Sequence, residues 1–370
     1  MGEETFFLWG PRQTGKTTLL RSLYGDSLWI DLLHSATYRS LAAHPEELAE
    51  IVRARGANFV VIDEIQKVPP LLDEVHRLHE QGARFALCGS SARKVRRGHA
   101  NLLGGRALRF ELFGLVSAEL GGAFDLTRML NHGFMPRLYD ASRPASYLRA
   151  YVADYLKEEV IAEGLVRGLG PFDDFLRQAA LADTEPVSFA AIARDCGVSA
   201  PTVRAYYQIL EDTLLGRFLP AYTRRPKRRI TKAPKFYFAD VGVVNQLAKR
   251  GTLELGGQLY GKAMESWVHH ELSAYNAYAE RDARLSYWRL STGVEVDFVV
   301  DDMFVAIECK ASTRVRPGHL KNLRELARDH PRCRRRILVA PTDRSRTTED
   351  GIEILRVRNF LDALWGGELF

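Results

Sequence analysis

Three groups of residues in this chain have types and spacings that can do chemistry. The first is Gly10-Pro11-Arg12-Gln13-Thr14-Gly15-Lys16-Thr17-Thr18, which contains the spacing Gly-x-x-x-x-Gly-Lys-Thr. The glycines let the backbone curl so that its N–H groups point inward at phosphate oxygens, and a helix starting near Lys16 adds the positive end of its dipole. Lys16 would reach the β- and γ-phosphates of a nucleotide, and the Thr17 hydroxyl would ligate Mg²⁺. The second group is Asp63-Glu64, at the end of the apolar run Phe59-Val60-Val61-Ile62. Asp63 would hold the Mg²⁺, and Glu64 would polarise the attacking water as general base. The third is a set of carboxylates with a lysine, Glu295, Asp297, Glu308 and Lys310, near the other end of the chain.

The first two groups need a sheet to bring them together. Phe6 to Trp9 reads as a buried strand entering the loop, and an amphipathic helix leaves it. Phe59 to Ile62 reads as a parallel strand buried on both faces. Ligands of open α/β sheets sit at the carboxyl ends of the strands, which places Asp63 beside the loop. Further strands are expected at Leu28–Leu32, Arg84–Cys88 and Ala107–Leu112, with helices near Pro45 and from Pro69-Pro70 to about Glu80. The strand ending at Cys88 runs into Gly89-Ser90-Ser91. Ser90 and Ser91 either sense the γ-phosphate or cap the next helix.

The carboxylates fall in a helix–strand–hairpin–strand pattern. Gly261 to about Ala279 is helical, with Met264, Val268, Leu272 and Tyr275 on one stripe and Glu265 one turn before His269, read as a surface histidine. Strands follow at Leu285–Leu290, Val294–Val300 and Met303–Lys310, the last two joined through Asp301-Asp302. With a two-residue turn, Asp297 lies opposite Ala306 and Glu295 opposite Glu308. Because side chains alternate, Glu295, Asp297, Glu308 and Lys310 then project from one face. Like charges facing each other are unfavourable, and a divalent cation with hard oxygen ligands, Mg²⁺ or Mn²⁺, would relieve the repulsion.

The middle of the chain reads as helical from Ser117 to about Leu181, punctuated by glycines and prolines. A helix-turn-helix pattern follows: Phe189 to Cys196 capped by Ser188, a turn at Gly197-Val198-Ser199, and a second helix with Pro201 in its first turn. Val203, Tyr207, Leu210 and Leu214 share one face, leaving Thr202, Arg204 and Gln208 on the other. Two strands, Arg217–Tyr222 and Lys235–Phe238, flank the basic run of Arg224, Arg225, Lys227, Arg228 and Arg229. If this is a winged helix on DNA, Thr202, Arg204 and Gln208 face bases and the wing's cations meet phosphates. The alternative is a protein-interaction module whose charge run is a solvated hairpin.

Composition sets the outer bounds. The chain has 370 residues, 46% hydrophobic and 26% charged, with a formal net charge of +6. Those values suit a multidomain globular protein and permit nucleic-acid binding without requiring it. The four cysteines show no metal-binding spacing and read as free thiols. No stretch approaches the length of a membrane span, and the N-terminus lacks a secretory pattern, so a cytoplasmic protein without membrane contact is expected. Four segments follow: 1–116, 117–182, 183–254 and 255–370.

Gly-Pro-Arg-Gln-x-Gly-Lys-Thr-Thr-Leu at residues 10–19, the Val-Ile-Asp-Glu-Ile-Gln strand, the Cys-Gly-Ser-Ser strand end and Gly-Arg before Phe-Glu-Leu resemble one family. It is the prokaryotic AAA+-type ATPases that carry a C-terminal domain of unknown function, and the resemblance covers nearly the whole chain. It implies an α/β P-loop core with a helical lid and ATP with Mg²⁺ as cofactors. An arginine would complete the γ-phosphate site, sometimes from a neighbouring subunit of a homo-oligomer. Arg106 fits that role best by position, Arg93 is the reserve, and a plain surface arginine is the competing reading. An acid on a helix, Asp on a strand and Glu-x-Lys on the next resemble the restriction-endonuclease-like PD-(D/E)XK fold. That resemblance implies Glu265, Asp297 and Glu308 as metal ligands and Lys310 as the catalytic lysine, with Glu295 an extra carboxylate. The expectation is an ATP-hydrolysing enzyme that binds DNA and cleaves or processes it with a metal. The rival is an ATP-dependent switch or scaffold whose C-terminal domain is inert and recruits DNA or a protein, and a transcription regulator is a third.

Overall fold

The computed structural model describes residues 4–91, 103–156, 169–224 and 228–370. Two compact units are present. One comprises Met1–Gly114 with Ile209–Leu215, the other Leu115–Gln208 with Gly216–Phe370.

The first unit is built on a parallel sheet of β1 (Phe6–Trp9), β2 (Leu28–Asp31), β3 (Phe59–Asp63), β4 (Arg84–Gly89) and β5 (Leu108–Glu111), in the order β2-β3-β4-β1-β5. Both faces are covered, which is why β1, β3 and β4 are almost continuously apolar. Helices α1 (Lys16–Tyr24), α2 (Ser35–Ala43), α3 (Glu47–Arg55) and α4 (Leu71–Glu80) supply the crossovers. Leu41, Leu48, Val52, Leu71, Val75 and Leu78 bury against Phe7, Ile30, Val60, Ile62, Phe85 and Leu87. Of these helices, α2 has no counterpart in the sequence reading. Its one fully buried position, Leu41, leaves almost no periodic signal.

The second unit begins with short helices α5 (Ser117–Leu120), α6 (Leu126–His132), α7 (Pro136–Tyr139) and α8 (Pro144–Ala150), followed by α9 (Leu169–Leu181). Next come α10 (Phe189–Asp195), capped by Ser188 Oγ accepting from Ala191 N–H, and α11 (Ala200–Asp212). An antiparallel pair of β6 (Gly216–Leu219) and β7 (Lys235–Phe238) follows, then α12 (Val241–Leu247). Tyr207 packs edge-on against Phe175, Phe189 and Phe236, so α11 faces inward through its aromatic side.

The remainder is a six-stranded mixed sheet, order β12-β13-β11-β10-β9-β8, with α13 (Gln258–Tyr278), α14 (Lys321–Asp329) and α15 (Val357–Trp365). The strands are β8 (Leu285–Arg289), β9 (Glu295–Val300), β10 (Val305–Cys309), β11 (Arg335–Ala340), β12 (Arg346–Thr347) and β13 (Ile352–Arg356). Helix α13 is buried far beyond one stripe, because Ser266, Trp267, His269, His270, Glu271 and Ser273 are inside as well as Met264, Val268 and Leu272. His269 is therefore not a surface histidine. It stacks on Tyr237 with ring centroids 4.1 Å apart, and burial holds it well below its usual pKa.

Two corrections concern the strands. Val300 pairs with Val305, so the turn spans four residues, 301–304, with Asp301 and Met303 at positive φ. The count runs on to set Asp297 opposite Glu308, in place of the pairing with Ala306 that a two-residue turn gives. The shift is by two, so parity survives and the acidic side chains keep a common face. The second correction is to the described residues that flank the basic run, 220–222 and 229–231, which are not free of the sheet. Tyr222 N–H donates to Tyr287 O (2.7 Å), Tyr287 N–H to Pro220 O (3.0 Å), Thr231 N–H to Arg289 O (2.9 Å) and Ser291 N–H to Arg229 O (3.0 Å). Residues on both sides of the segment thus satisfy the outer edge of β8, which would otherwise present unpaired backbone groups.

Candidate functional site

The loop between β1 and α1 turns through Gln13 (φ 64°) and Gly15 (φ 94°). Gly10 permits a close approach: a Cβ there would lie 2.4 Å from Leu112 O. Thr14 Oγ1 donates to Pro11 O at 2.8 Å and pins the curl. Lys16 is buried, and its ammonium lies across the loop, donating to Gly10 O and Pro11 O at 2.8 Å each. Burial lowers its pKa, partly offset by Cys88, Glu64 and Asp63. Thr17 Oγ1 donates to Asp63 Oδ2 at 2.8 Å, joining the loop to the end of β3. A hydroxyl oxygen beside a carboxylate is the hard donor set that Mg²⁺ takes, and the lysine's present partners are carbonyls that phosphate oxygens can replace. Arg12 is half-buried, and Gln13 and Thr18 are exposed.

Glu64 follows in the left-handed conformation (φ 60°, ψ 42°), which turns its side chain off the strand axis. Gln66 Nε2 donates both to Glu64 Oε2 (2.5 Å) and to Ser90 Oγ (3.0 Å), so one buried amide bridges the ends of β3 and β4. Gln66 is absent from the sequence-level site, although it stands in the quoted Val-Ile-Asp-Glu-Ile-Gln run. Ser91 is buried and donates to Asp212 O at 3.4 Å.

Arg106 is elsewhere. Leu108, the first residue of β5, pairs with Phe6, the first residue of β1, so Arg106 precedes the amino-terminal edge of the sheet while the loop leaves the carboxyl edge at Trp9. It pairs with Glu80 at 2.6 Å. Arg106 does not join the loop of its own chain; Arg93 lies outside the described residues.

In the second unit, Glu265, Glu295 and Asp297 each offer an oxygen within 4.8 Å of the others. Lys235, the first residue of β7 and wholly buried, donates to Glu265 Oε1 (2.8 Å) and Glu295 Oε1 (2.5 Å). Tyr237, two residues on and so on the same face, donates to Glu265 Oε1 (2.6 Å), and Arg289 binds Glu295 Oε2 (2.7 Å). Asp297 Oδ2 accepts from Cys309 N–H (2.7 Å). Glu308 Oε1 accepts from Lys310 (2.5 Å) and from Asn322 Nδ2 (3.1 Å), while buried Glu308 Oε2 has no hydrogen-bond partner. Burial, reinforced by Glu308, pushes Asp297 up to about 7. Burial also pushes Glu265 to about 7, against the pull of Lys235. Lys235 itself is lowered by burial but held above its usual range by Glu265, Glu295 and Asp297.

A divalent cation therefore fits part of this constellation. At Asp297 and Glu308 the buried Glu308 Oε2 has no hydrogen-bond partner, and two carboxylates stand with one paired ammonium, Lys310 on Glu308. Glu265 is engaged by an ammonium, which the sequence reading, treating Lys235 only as a strand residue, did not anticipate.

Among the expected DNA contacts, Arg204 and Gln208 are exposed on α11, with Arg204 over the Phe189 ring at 4.9 Å. Thr202 Oγ1 shares a hydrogen bond with Ser199 Oγ at the helix start (2.8 Å). Arg224 and Arg229 are exposed, Arg224 with Asp302 at 3.8 Å. Arg228 is committed to α14, holding Asp329 at 2.8 Å and Glu325 at 3.2 Å, and does not stand ready for phosphate. Arg225 and Lys227 lie outside the described residues. No described helix is long and apolar enough to cross a membrane.

Comparison with known proteins divides the chain in three. Residues 2–121 match an AAA domain, residues 123–254 a domain of unknown function (DUF8612) and residues 260–360 another (DUF4143). Uncharacterized proteins of Mycobacterium tuberculosis (Rv2008c) and Mycobacterium bovis (Mb2031c) are each 28% identical over 305 residues, 80% of this chain and 67% of theirs. Among solved structures, replication initiator DnaA bound to AMPPCP and single-stranded DNA aligns at 13% identity. That alignment covers 56% of this chain and 82% of that one with a TM-score of 0.31, too slight a likeness to carry fold or function across.

Proposed function

We propose that this chain is an ATP-hydrolysing P-loop protein whose nucleotide state governs an action on DNA. The observation that carries the first half is the Thr17–Asp63 hydrogen bond beside the loop-bound ammonium of Lys16. In this reading the loop's N–H groups from Gly10 to Thr18 cradle the phosphates. Lys16 exchanges the carbonyls of Gly10 and Pro11 for phosphate oxygens, and Thr17 and Asp63 hold Mg²⁺, which neutralises charge on the phosphates. Glu64 takes the proton of the attacking water, oriented by Gln66, and Ser90 stands where a γ-phosphate would be sensed. If Arg106 completes a nucleotide site, that site belongs to a second copy of the chain; its ion pair with Glu80 otherwise fits the surface-arginine reading.

For the second half, residues 117–182 are read as a helical lid, 183–254 as a winged helix, and 255–370 as a PD-(D/E)XK-like domain in a cytoplasmic protein. Arg204, Gln208, Arg224 and Arg229 are the exposed groups offered to DNA. Glu265, Asp297 and Glu308 would hold Mg²⁺ or Mn²⁺ and Lys310 would orient water for phosphodiester cleavage, the metal lowering that water's pKa. The second reading, an ATP-dependent switch with an inert C-terminal domain, is favoured by one observation: Lys235 engages Glu265, a ligand that the nuclease reading assigns to metal.

One experiment separates these readings. Phosphate release from ATP and the nicking of supercoiled plasmid are followed in Mg²⁺ or Mn²⁺ for wild type, Lys16→Ala and Asp297→Ala. Loss of ATP turnover in Lys16→Ala is expected, and undiminished turnover there overturns the nucleotide site. Nicking lost in Asp297→Ala supports the nuclease; ATP turnover without nicking by any variant supports the switch.

A further inference from the structure

Glu265, Glu295 and Asp297 come from a helix and a strand whose packing brings their oxygens within 4.8 Å of one another. Three carboxylates at that spacing, Asp297 buried and the two glutamates half-buried, repel unless a cation lies among them. The chain supplies one. The Lys235 ammonium is fully buried, reaches Glu265 and Glu295 together, and has the Tyr287 ring 5.2 Å from its nitrogen on a further side. It is also fixed in place: Lys235 pairs with Leu219 in the β6–β7 ladder and forms a bridge with Pro186.

The charges around it balance locally. Glu265, Glu295 and Glu185 face Lys235, Arg289 and Lys262, three carboxylates against three cations. A divalent ion entering between Glu265 and Glu295 would meet the ammonium at close range and compete with it for Glu265 Oε1 and Glu295 Oε1. Asp297 and Glu308 differ. Both carboxylates are buried, Lys310 pairs with Glu308 alone, and Glu308 Oε2 has no hydrogen-bond partner.

We propose that Lys235 is a tethered cation that fills the position Glu265 and Glu295 would otherwise give to a divalent ion, so that the C-terminal part of the chain keeps a single cation position, at Asp297 and Glu308. This rests on reading Asp297 and Glu308 as a cation site, and it removes Glu265 from the ligand set. Lys235 is a positioning residue: it holds two carboxylates in place and excludes a second ion.

The test is Mn²⁺ binding to the full chain without nucleotide, counted from the free-ion EPR signal, with Mn²⁺-dependent thermal stabilisation as a second readout. Wild type is expected to take an ion that Asp297→Asn abolishes and Glu265→Gln does not. Lys235→Met is expected to gain an additional ion that is lost again in Lys235→Met/Glu265→Gln, and to be stabilised by Mn²⁺ more than wild type is. Should Lys235→Met fail to fold, Lys235→Gln, which keeps the polar contact without the charge, carries the same expectation, and Lys235→Arg should behave as wild type. Loss of the wild-type ion in Glu265→Gln, or no gain in a folded Lys235→Met or Lys235→Gln variant, overturns the proposal. Wild type that binds no ion while Lys235→Met gains a Glu265-dependent one refutes the Asp297–Glu308 site and leaves the tethered cation standing.

Discussion

Gln66 joins the acid at the end of β3 to the hydroxyl at the end of β4 through a single amide. A carboxylate acting as general base needs its oxygen aimed, and a buried donor at 2.5 Å fixes that aim. Gln66→Leu keeps the bulk and removes both hydrogen bonds. Its kcat for ATP should fall about tenfold, about 1.4 kcal/mol of transition-state free energy, with KM little changed. A rise in kcat would mean instead that Gln66 holds the base back. At this scale the sequence was legible where chemistry is contiguous. Gly10 to Thr18 folds into its own site, so spacing along the chain is spacing in space. Lys235 was not legible, since it stands thirty residues before Glu265 and sixty before Glu295 and nothing local says that an ammonium will turn inward. The one available sign was its alternation with Tyr237, which reaches the same carboxylate.

Elements are joined in the second unit by buried carboxyls that bind backbone and ring N–H groups. Glu271 on α13 accepts from Ser117 N–H (2.8 Å), Ser117 Oγ–H (2.9 Å) and Trp365 Nε1–H (2.8 Å), holding α13 to α5 and α15. Burial outweighs those hydrogen bonds and raises its pKa from 4.5 to about 7. The folded state thus holds this proton more tightly than the unfolded chain does. The resulting stability is fully present below pH 4.5 and is lost as pH rises through 7, a difference on the order of 3 kcal/mol. Glu271→Gln should remove that share of the pH dependence, flattening urea-unfolding free energies between pH 5 and 8 relative to wild type; an unchanged slope would refute the assignment. Element types were readable from the sequence because apolar runs and periodic stripes report burial. The length of the 301–304 turn was not, because Asp301 and Met303 adopt positive φ without the glycine that usually signals it.

Charge is the property that belongs to the whole molecule. The chain carries a net +6, and DNA bound at the exposed Arg204, Arg224 and Arg229 would show a salt dependence, whereas Arg228 is neutralised by Asp329 and Glu325. Arg204→Ala and Arg229→Ala should each weaken binding and lower the slope of log K against log salt by about one. Arg228→Ala should leave the slope alone. Equal slopes for all three would place DNA elsewhere. The sequence did not show that Arg228 is engaged, because the acids that pair with it lie about a hundred residues downstream.

The backbone of residues 220–222 and 229–231 completes the edge of β8, and Lys235 neutralises acids on α13 and β9. The boundary at which the two domains of unknown function abut, between residues 254 and 260, is therefore not a seam at which the molecule can be parted. A recombination event carrying only the downstream segment into another gene would leave behind both the strip that sheathes its sheet and the cation that neutralises its acids. Severed at that boundary, the downstream segment would show water a bare strand edge and a cluster of acids with no lysine among them.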